Sequence, residues 1–377
     1  MKLPNITKLK KLKGKRILLR VDFNVPIKDD VVVDDFRIRK VIPTLEFLKK
    51  SGARIIILSH IGREKTDTLL SASQKLGEKI KHVFVQDFMS EEGKTTLSSL
   101  KDGEVALVEN LRKWDGEKSG DKAFAKSLAS FGDIFVNEAF AVSHRKDASV
   151  FALPKLLPAY FGPLFVDEVE NISIAFKKSH PYLLILGGAK FETKLPLIKK
   201  YLDVADTVFV GGALANTFFK LQGCEIGASV CDVETNKMKP LLKNKKLILP
   251  LDVIVEGPSG RIVRSQEAVE KTEKILDDGP ETVLLLEGLI KKAKFILWNG
   301  PLGYYEGGYD GATLSVAKAL SQTTANAVVG GGDTVAAIEK VKSNKKNIFI
   351  STGGGAMLDF LSKGTLPAIE AIIKKKK

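Results

Sequence analysis

The chain has 377 residues, 44% of them hydrophobic, and carries a formal net charge of +14 at pH 7. The length favours two domains over a single core, and no apolar stretch is long enough to cross a bilayer. The charge alone would suit nucleic acid, but basic residues do not interleave with aromatic ones, and no helix-turn-helix or zinc-finger pattern occurs. We therefore expect a cytoplasmic protein without a signal peptide that binds neither nucleic acid nor membrane.

Short apolar runs alternate with amphipathic segments along the chain, which predicts an α/β fold with parallel sheets and crossover helices. The runs are rich in Ile, Val and Leu, as is typical of strands buried on both faces. Predicted strands span residues 16–21, 54–58, 105–108, 134–136, 182–186, 207–210, 295–298, 326–329 and 347–350. Predicted helices span residues 37–50, 166–178, 194–202, 312–320 and 334–341.

A stretch that contains several prolines, residues 151–181, separates the two halves of the chain. Pro154, Pro158 and Pro163 interrupt its first part, and residues 166–178 then place apolar side chains on one helical face. This pattern predicts two domains joined by a hinge helix. An ordinary crossover helix within one large domain is the alternative, which the chain length disfavours.

In the first half, the predicted strands end in cationic side chains. The segments are Arg20–Asn24, Ser59–Arg63, Glu109–Arg112 and Ser143–Arg145. Ligands of open α/β sheets bind beyond the carboxyl ends of the strands, so these loops, together with Arg37, predict a basic pocket for a small acid that bears phosphate. Taken singly, each arginine fits a surface ion pair equally well. Asp22 and Asn24 fit a turn as well as a role in orienting ligand hydroxyls or an arginine.

In the second half, the predicted strands end in glycine clusters. These are Gly187–Lys190, Gly211–Ala213, Trp298–Pro301, Gly330–Thr334 and Ser351–Gly355. Glycines allow backbone amides to approach phosphates at a helix N-terminus, and Lys190 and Lys194 would face the same phosphate. Asp333 could reach a magnesium ion held by those phosphates. The alternatives are two exposed lysines, and a helix cap formed by Asp333 or Thr334.

Other nucleotide and metal motifs do not occur in the sequence. There is no G-x-x-x-x-G-K-[ST] loop, no G-x-G-x-x-G fingerprint and no protein-kinase catalytic loop. Cys224 and Cys231 match no zinc-site spacing and are expected to be free thiols. Two anionic substrates, one for each half, remain the simplest interpretation.

Taken in their order along the chain, the strand-end loops resemble those of the phosphoglycerate kinase family, and the resemblance covers almost the whole chain. The matching segments are Arg20–Pro26, Ser59–Arg63, Glu109–Arg112, Leu186–Lys190, Trp298–Pro301, Gly330–Thr334 and Ser351–Gly355. The resemblance implies two Rossmann-like domains with parallel sheets, which close on their substrates. It also implies reversible phosphoryl transfer between 1,3-bisphosphoglycerate and MgADP, giving 3-phosphoglycerate and MgATP, in a glycolytic enzyme that is a monomer by default.

The resemblance also implies domain bounds and residue roles. Residues 1–160 would hold the acid, 161–180 would form the hinge, 181–361 would hold the nucleotide, and 362–377 would pack back on the first domain. The acid would contact Asp22, Phe23, Asn24, Arg37, His60, Ile61, Gly62, Arg63, Arg112 and Arg145. Catalysis would fall to Arg37, Lys190, Gly353 and Gly354. The nucleotide would contact Lys194, Gly211, Gly212, Glu306, Gly331, Gly332, Asp333 and Thr334, with Mg²⁺ at Asp333.

The sequence departs from the family pattern at several loop positions, which bear on the fit of the acid pocket. These are Glu64, Lys113, Glu138, Ala141–Ser143, and Phe191 with Glu192. Two other functions are considered beside the family reaction. One is a binding protein or basic surface adaptor that has lost catalysis, and the other is a kinase for a different acyl or carboxyl phosphate.

Overall fold

A computed structural model describes residues 3–177, 179–232, 238–342 and 346–373. The chain divides into two compact units. Unit 1 comprises Met1–Glu170 and Lys363–Lys377, and unit 2 comprises Asn171–Ser362. The C-terminal residues therefore belong to the same unit as the N-terminal ones.

Unit 1 is built on a parallel sheet in the order β5-β6-β4-β1-β7-β8, with a separate β2–β3 hairpin. Its strands are β1 Arg16–Arg20, β2 Ile27–Lys28, β3 Val31–Val32, β4 Arg54–Leu58, β5 Val83–Val85, β6 Val105–Val108, β7 Ile134–Asn137 and β8 Ala159–Phe161. The helices that begin in it are α1 Phe36–Lys50, α2 Leu70–Gly77, α3 Glu91–Ser98, α4 Asp115–Ser119, α5 Lys122–Ala129 and α6 Pro163–Ser173.

Unit 2 is built on a second parallel sheet, in the order β11-β10-β9-β15-β16-β17. Its strands are β9 Tyr182–Leu186, β10 Thr207–Val210, β11 Leu247–Ile248, β12 Asp252–Gly257, β13 Gly260–Ser265, β14 Lys274–Asp278, β15 Phe295–Asn299, β16 Asn326–Gly330 and β17 Ile348–Ile350. Its helices are α7 Phe191–Val204, α8 Ala213–Gln222, α9 Pro280–Lys292, α10 Gly311–Gln322, α11 Gly332–Lys340 and α12 Gly355–Lys363, and α13 Pro367–Ile373 returns to unit 1.

In both sheets, successive strands are first added on one side of the first strand and then on its other side. The change of side lies between β1 and β7 in unit 1, and between β9 and β15 in unit 2. Such switch points open a crevice at the carboxyl ends of the strands. The central strands are mostly apolar and almost entirely buried, although β1 begins and ends with arginine, and their burial fixes the loops that follow them.

All nine predicted strands are present, with ends that differ by at most one residue. The prediction missed the hairpin β2–β3, the short strands β5, β8 and β11, and a three-stranded antiparallel sheet of order β13-β12-β14. The predicted helix 166–178 begins three residues earlier, at Pro163, and its α-helical part ends at Ser173. A 3₁₀ turn, Ile174–Phe176, follows it, and Lys178 lies outside the described residues.

No helix among the described residues combines the length and the apolar character that a membrane span requires.

Candidate functional site

In unit 1, the loop after β1 carries an ion pair near the switch point. Asp22 is buried, and its Oδ2 accepts a hydrogen bond from Arg37 Nη1 at 2.7 Å. Burial alone would raise the pKa of Asp22, but Arg37, His60, the Asn24 amide and Arg20 together outweigh it and the pKa is lowered. Arg37 also donates to the Asn24 carbonyl at 3.1 Å, from the first turn of α1. The pair therefore holds the half-exposed guanidinium beside the loop that follows the central strand.

The loop after β4 is clamped by Asn110, which follows β6. The Asn110 side chain accepts from Ile61 N at 3.2 Å, and donates to the carbonyls of Ile61 at 3.0 Å and Asp67 at 2.8 Å. Asn24 Oδ1 accepts from Gly62 N at 2.9 Å, which joins the first loop to the second. Gly62 has φ +63°, and a Cβ there would lie 1.8 Å from Asp67 Oδ2, so only glycine fits.

His60 and Arg112 are buried beside this clamp, with Arg145 close enough to act on both. The His60 side chain is 2% exposed, and burial holds its pKa well below the ordinary value, with Arg112 and Arg145 lowering it further. Arg112 Nη1 donates to the Gly62 carbonyl, while its buried Nε has no hydrogen-bond partner among the described residues. An unpaired guanidinium donor in a cluster of cations favours an anionic ligand.

The other acid-site residues that the sequence suggested differ in exposure. Phe23 is fully buried and contributes its backbone amide, which donates to Ser59 Oγ at 2.9 Å. Arg63 is exposed, and its backbone is fixed by Asp67 and by Lys118. Lys113, one of the departures from the family pattern, pairs with Glu109 at 2.8 Å. That pairing directs the Lys113 ammonium to the loop scaffold.

Unit 2 contains a cavity of about 690 Å³ at the carboxyl ends of its central strands. Its lining residues are Gly188–Lys190, Gly212, Ala213, Asn216, Val230, Lys274–Asp277, Pro301–Glu306 and Asp333. The lining comes from the glycine-containing loops that follow β9, β10, β15 and β16, and from strand β14, helix α8 and Val230. This volume is typical of a site for a small organic ligand.

Two lysines flank the turn between β9 and α7. Lys190 precedes the helix and is exposed to the cavity, and Lys194 lies one turn further and is 5% exposed. Lys194 Nζ donates to the Gly187 carbonyl, and a Cβ on Gly188 would lie 3.1 Å from that nitrogen. Burial, with a smaller contribution from Lys190, lowers the pKa of Lys194 to about 8. The turn thus concentrates positive charge at a helix N-terminus, where anions bind well.

The turn between β16 and α11 is held in an open shape by glycine and threonine. Gly331 has φ +104°, and buried Thr334 donates to the Gly330 carbonyl at 2.9 Å and accepts from Gly300 N at 3.2 Å. Gly332 is exposed at the first position of α11. Asp333 borders the cavity, and burial with the nearby Glu306 raises its pKa. The carboxylates of Asp333 and Glu306 therefore border the cavity, and the buried Lys194 ammonium lies near enough to lower the pKa of Asp333 in opposition to burial and Glu306.

Five of the six glycines predicted for this half lie outside the lining of that cavity, namely Gly211, Gly331, Gly332, Gly353 and Gly354. Gly211 is buried and donates to the Leu186 carbonyl at 2.9 Å, so it acts through the backbone that positions Gly212. Gly353 and Gly354 form the turn before α12, where Gly353 N donates to Ser351 Oγ at 3.0 Å and Gly354 has φ +47°. The cavity itself brings together Lys190, Gly212, Glu306 and Asp333.

Several residues that shape these sites were not assigned a role from the sequence, although Asn110 lies within the predicted segment Glu109–Arg112. Asn110 is the clamp of the first site, and Asn299 carries a buried Nδ2 without a partner among the described residues. A Cβ on Gly330 would lie 3.2 Å from that nitrogen, so the free amide donor lies at the glycine turn. Tyr304 and Lys274 also line the cavity. The Trp298–Pro301 segment already marked Asn299, whereas Tyr304 and Lys274 have no motif of their own.

A doubly wound α/β protein with a cationic side-chain cluster on one unit and a glycine-lined cavity on the other belongs to the class of kinases for small acids. The family model described as phosphoglycerate kinase matches residues 6–364. Phosphoglycerate kinases of Methylorubrum extorquens and of a Wolbachia endosymbiont are each 38% identical to the chain, over 96% and 97% of both sequences.

Solved structures give the same result. The structure of phosphoglycerate kinase from Coxiella burnetii matches with a TM-score of 0.82 and 34% identity over 100% of both chains. That of phosphoglycerate kinase from Pyrococcus horikoshii OT3 matches with a TM-score of 0.87 and 30% identity over 99% of both. The chain belongs to the phosphoglycerate kinase family. It is a glycolytic kinase, which transfers a phosphoryl group reversibly between 1,3-bisphosphoglycerate and ADP.

Proposed function

We propose that the basic cluster of unit 1 binds 3-phosphoglycerate and that the cavity of unit 2 binds MgATP. The acid would contact Asp22, Phe23, Asn24, Arg37, His60, Ile61, Gly62, Arg63, Arg112 and Arg145. The nucleotide would contact Lys194, Gly211, Gly212, Glu306, Gly331, Gly332, Asp333 and Thr334. The observation that carries the proposal is the lysine pair at the start of α7, of which Lys190 borders a cavity large enough for a nucleotide.

The chemistry of the transfer requires positive charge and positioning more than a base. The accepting carboxylate of 3-phosphoglycerate is already ionised, so no proton has to be removed from it. The transferred phosphoryl group carries its charge on three equatorial oxygens. Lys190 and Arg37, with the backbone amides at Gly353 and Gly354, would stabilise that charge. Closure of the two units about the 161–180 segment would exclude water from the reactive acyl phosphate.

The donor set at the cavity fits a magnesium ion that arrives with the nucleotide. Among the described residues, no group of three or more His, Cys, Asp or Glu side chains could hold a metal ion. Magnesium keeps most of its ligands as water and substrate phosphate, and needs only one or two carboxylates. Asp333 would supply that carboxylate. The ion would neutralise part of the phosphate charge.

We further propose that the enzyme acts as a monomer in the cytoplasm on small-molecule substrates. Residues 1–160 would serve the acid, residues 181–361 the nucleotide, and residues 362–377 would complete the first domain. The grouping of Lys363–Lys377 with unit 1 supports the last assignment.

A coupled assay with 3-phosphoglycerate and MgATP tests the proposal directly. We expect turnover in the wild type and a loss of about 10²- to 10³-fold in kcat for Lys190→Ala, because one cation leaves the transferred phosphoryl group. Lys199→Ala is the matched control, since Lys199 is an exposed lysine on the same helix. Equal losses in both variants would contradict the role of Lys190.

The assay also separates the two alternative functions. Binding of 3-phosphoglycerate without turnover would indicate a degenerate binding protein. Turnover with another carboxylic acid, uninhibited by 3-phosphoglycerate, would indicate a kinase for a different acyl phosphate.

A further inference from the structure

Arg20, the last residue of the central strand β1, is fully buried beneath the loops of the first site. Its guanidinium is shared among three neighbours. Nε donates to Ser149 Oγ at 2.8 Å, Nη1 donates to the Val21 carbonyl, and Nη2 lies 3.3 Å from His60 Nδ1. This last contact joins an inner arginine, which none of the functional assignments uses, to a histidine of the basic cluster.

The buried carboxylate of Glu117 lies near the Arg20 guanidinium and balances its charge. Glu117 Oε1 lies 3.8 Å from Arg20 Nη2 and accepts from Ser149 Oγ at 2.5 Å, and Glu117 Oε2 accepts from Ser149 N at 3.0 Å. Ser149 therefore receives a hydrogen bond from Arg20 and passes one to Glu117. The network fixes the guanidinium in one orientation, with Nη2 directed at the imidazole.

A guanidinium has five donors and no acceptor, and it stays protonated in proteins. The contact with Arg20 therefore requires His60 Nδ1 to be the acceptor. We propose that Arg20 is a positioning residue that fixes His60 as the neutral tautomer with its proton on Nε2. The outer nitrogen is then a permanent hydrogen-bond donor for an anion.

Burial and three arginines disfavour a charge on His60, and together they outweigh Asp22, which favours one. Asp22 Oδ1 lies 3.9 Å from His60 Nδ1, too far for a hydrogen bond, while Arg20, Arg112 and Arg145 disfavour a further positive charge. Burial lowers the pKa of His60 well below its ordinary value. The imidazole would thus donate to an acid without titrating near neutral pH. This consequence for ligand binding rests on the proposed function, whereas the tautomer itself does not.

The same chain contains a histidine that should adopt the opposite tautomer. His82 Nδ1 lies 2.8 Å from the Ile80 carbonyl, which can only accept, and its Nε2 lies 2.8 Å from Ser73 Oγ. His82 should carry its proton on Nδ1. One spectrum of the wild-type protein therefore contains both the test residue and an internal reference.

The tautomers are read from long-range ¹H–¹⁵N correlation spectra of the ¹⁵N-labelled full chain at neutral pH. The His60 signals are identified by their loss in His60→Gln. We expect a protonated Nε2 and an unprotonated Nδ1 for His60, and the reverse pattern for His82. A His60 with its proton on Nδ1, or with both nitrogens averaged, overturns the proposal, and this result needs no variant at Arg20.

The double variant Arg20→Met/Glu117→Gln removes the donor without leaving a buried carboxylate unpaired. Glu117→Gln, which retains Arg20, is its matched control. We expect mixed His60 tautomers in the double variant and an unchanged His60 in the control. An Nε2-protonated His60 in the double variant would show that Arg20 is not the cause.

Kinetics test the consequence for the acid. Relative to the control, the double variant should have a KM for 3-phosphoglycerate raised about twofold if the two tautomers are equally populated, because only the Nε2-protonated form can donate, with an unchanged KM for ATP. Mixed tautomers with an unchanged KM would support the role of Arg20 and count instead against His60 as an acid ligand in the proposed function.

Discussion

The charge of Arg37 is available to a ligand because Asp22 holds the side chain without burying it. One guanidinium nitrogen is used by the carboxylate and by the Asn24 carbonyl, and about a third of the side chain is exposed. A guanidinium has further donors, which can contact a phosphoryl oxygen at the same time. The ion pair therefore positions the arginine and leaves part of it free for substrate.

Replacing Arg37 with alanine should lower kcat at least about tenfold, because a cation near the transferred group is lost. Steady-state kinetics with saturating 3-phosphoglycerate and MgATP measure the change. Arg39→Ala is the control, since Arg39 lies two residues further along the same helix and pairs with Asp35 instead of Asp22. An unchanged kcat in Arg37→Ala would exclude Arg37 from transition-state stabilisation.

Lys194 predicts a pH dependence for nucleotide binding. Its pKa is lowered to about 8, so in the free enzyme the ammonium is charged below this value and neutral above it. We therefore expect kcat/KM for ATP to fall as pH rises through about 8, because this parameter reports the free enzyme. Bound phosphates favour the charged form, so kcat should stay level to higher pH.

Lys194→Arg separates this effect from other titrations. An arginine stays charged, so the fall in kcat/KM above pH 8 should disappear even if the variant is less active overall. An identical alkaline limb in wild type and variant would assign the titration to another group.

At the scale of elements, the two loops of the first site depend on one amide side chain. Asn110→Ala would leave the Ile61 amide and the carbonyls of Ile61 and Asp67 without their partner. We expect a loss of about 1–3 kcal/mol in the free energy of unfolding, because these groups are buried or half-buried. The KM for 3-phosphoglycerate should rise with it, since Gly62 and Arg63 lie in the released loop.

Chemical denaturation and the coupled assay measure the two effects of Asn110→Ala. Asn326→Ala is a suitable control, because Asn326 is exposed at the start of β16. A destabilised Asn110→Ala enzyme with a wild-type KM would show that the clamp serves stability alone.

Nine strands of the two parallel sheets could be predicted because they are mostly apolar runs, buried on both faces, whereas the short strands β5, β8 and β11 were missed. The antiparallel sheet could not be predicted. Its strand β13, Gly260–Ser265, contains two arginines among six residues and is mostly exposed, and β14 ends in two aspartates. The loops that carry the site residues could be predicted from the positions at which the strands end. The side chains that support these loops could not be predicted. Asn110 contacts Ile61, 49 residues away in the sequence, and Arg20 contacts His60, 40 residues away. Only tertiary packing brings such distant residues together.

At the scale of the whole molecule, the chain ends in the unit where it began. Helix α13, Pro367–Ile373, contacts the turns Ala148–Ala152 and Leu153–Lys155, and Ala368 N donates to the Ser143 carbonyl at 3.2 Å. Ser143 and Arg145 belong to the fourth loop of the basic cluster. The last helix therefore supports the loop that carries Arg145.

Ile372→Ala tests this support, because Ile372 is 1% exposed within unit 1. The lost packing should cost about 2–4 kcal/mol of stability. Because the cavity of unit 2 lies outside the affected unit, the Kd for MgATP should stay unchanged while the KM for 3-phosphoglycerate rises. Calorimetric unfolding with and without each substrate resolves the two effects.

Ile373→Ala, at a partly exposed neighbour, should cost less stability than Ile372→Ala and serves as the control. Equal losses of ATP and acid binding in Ile372→Ala would show that the helix stabilises the whole chain and not unit 1 in particular.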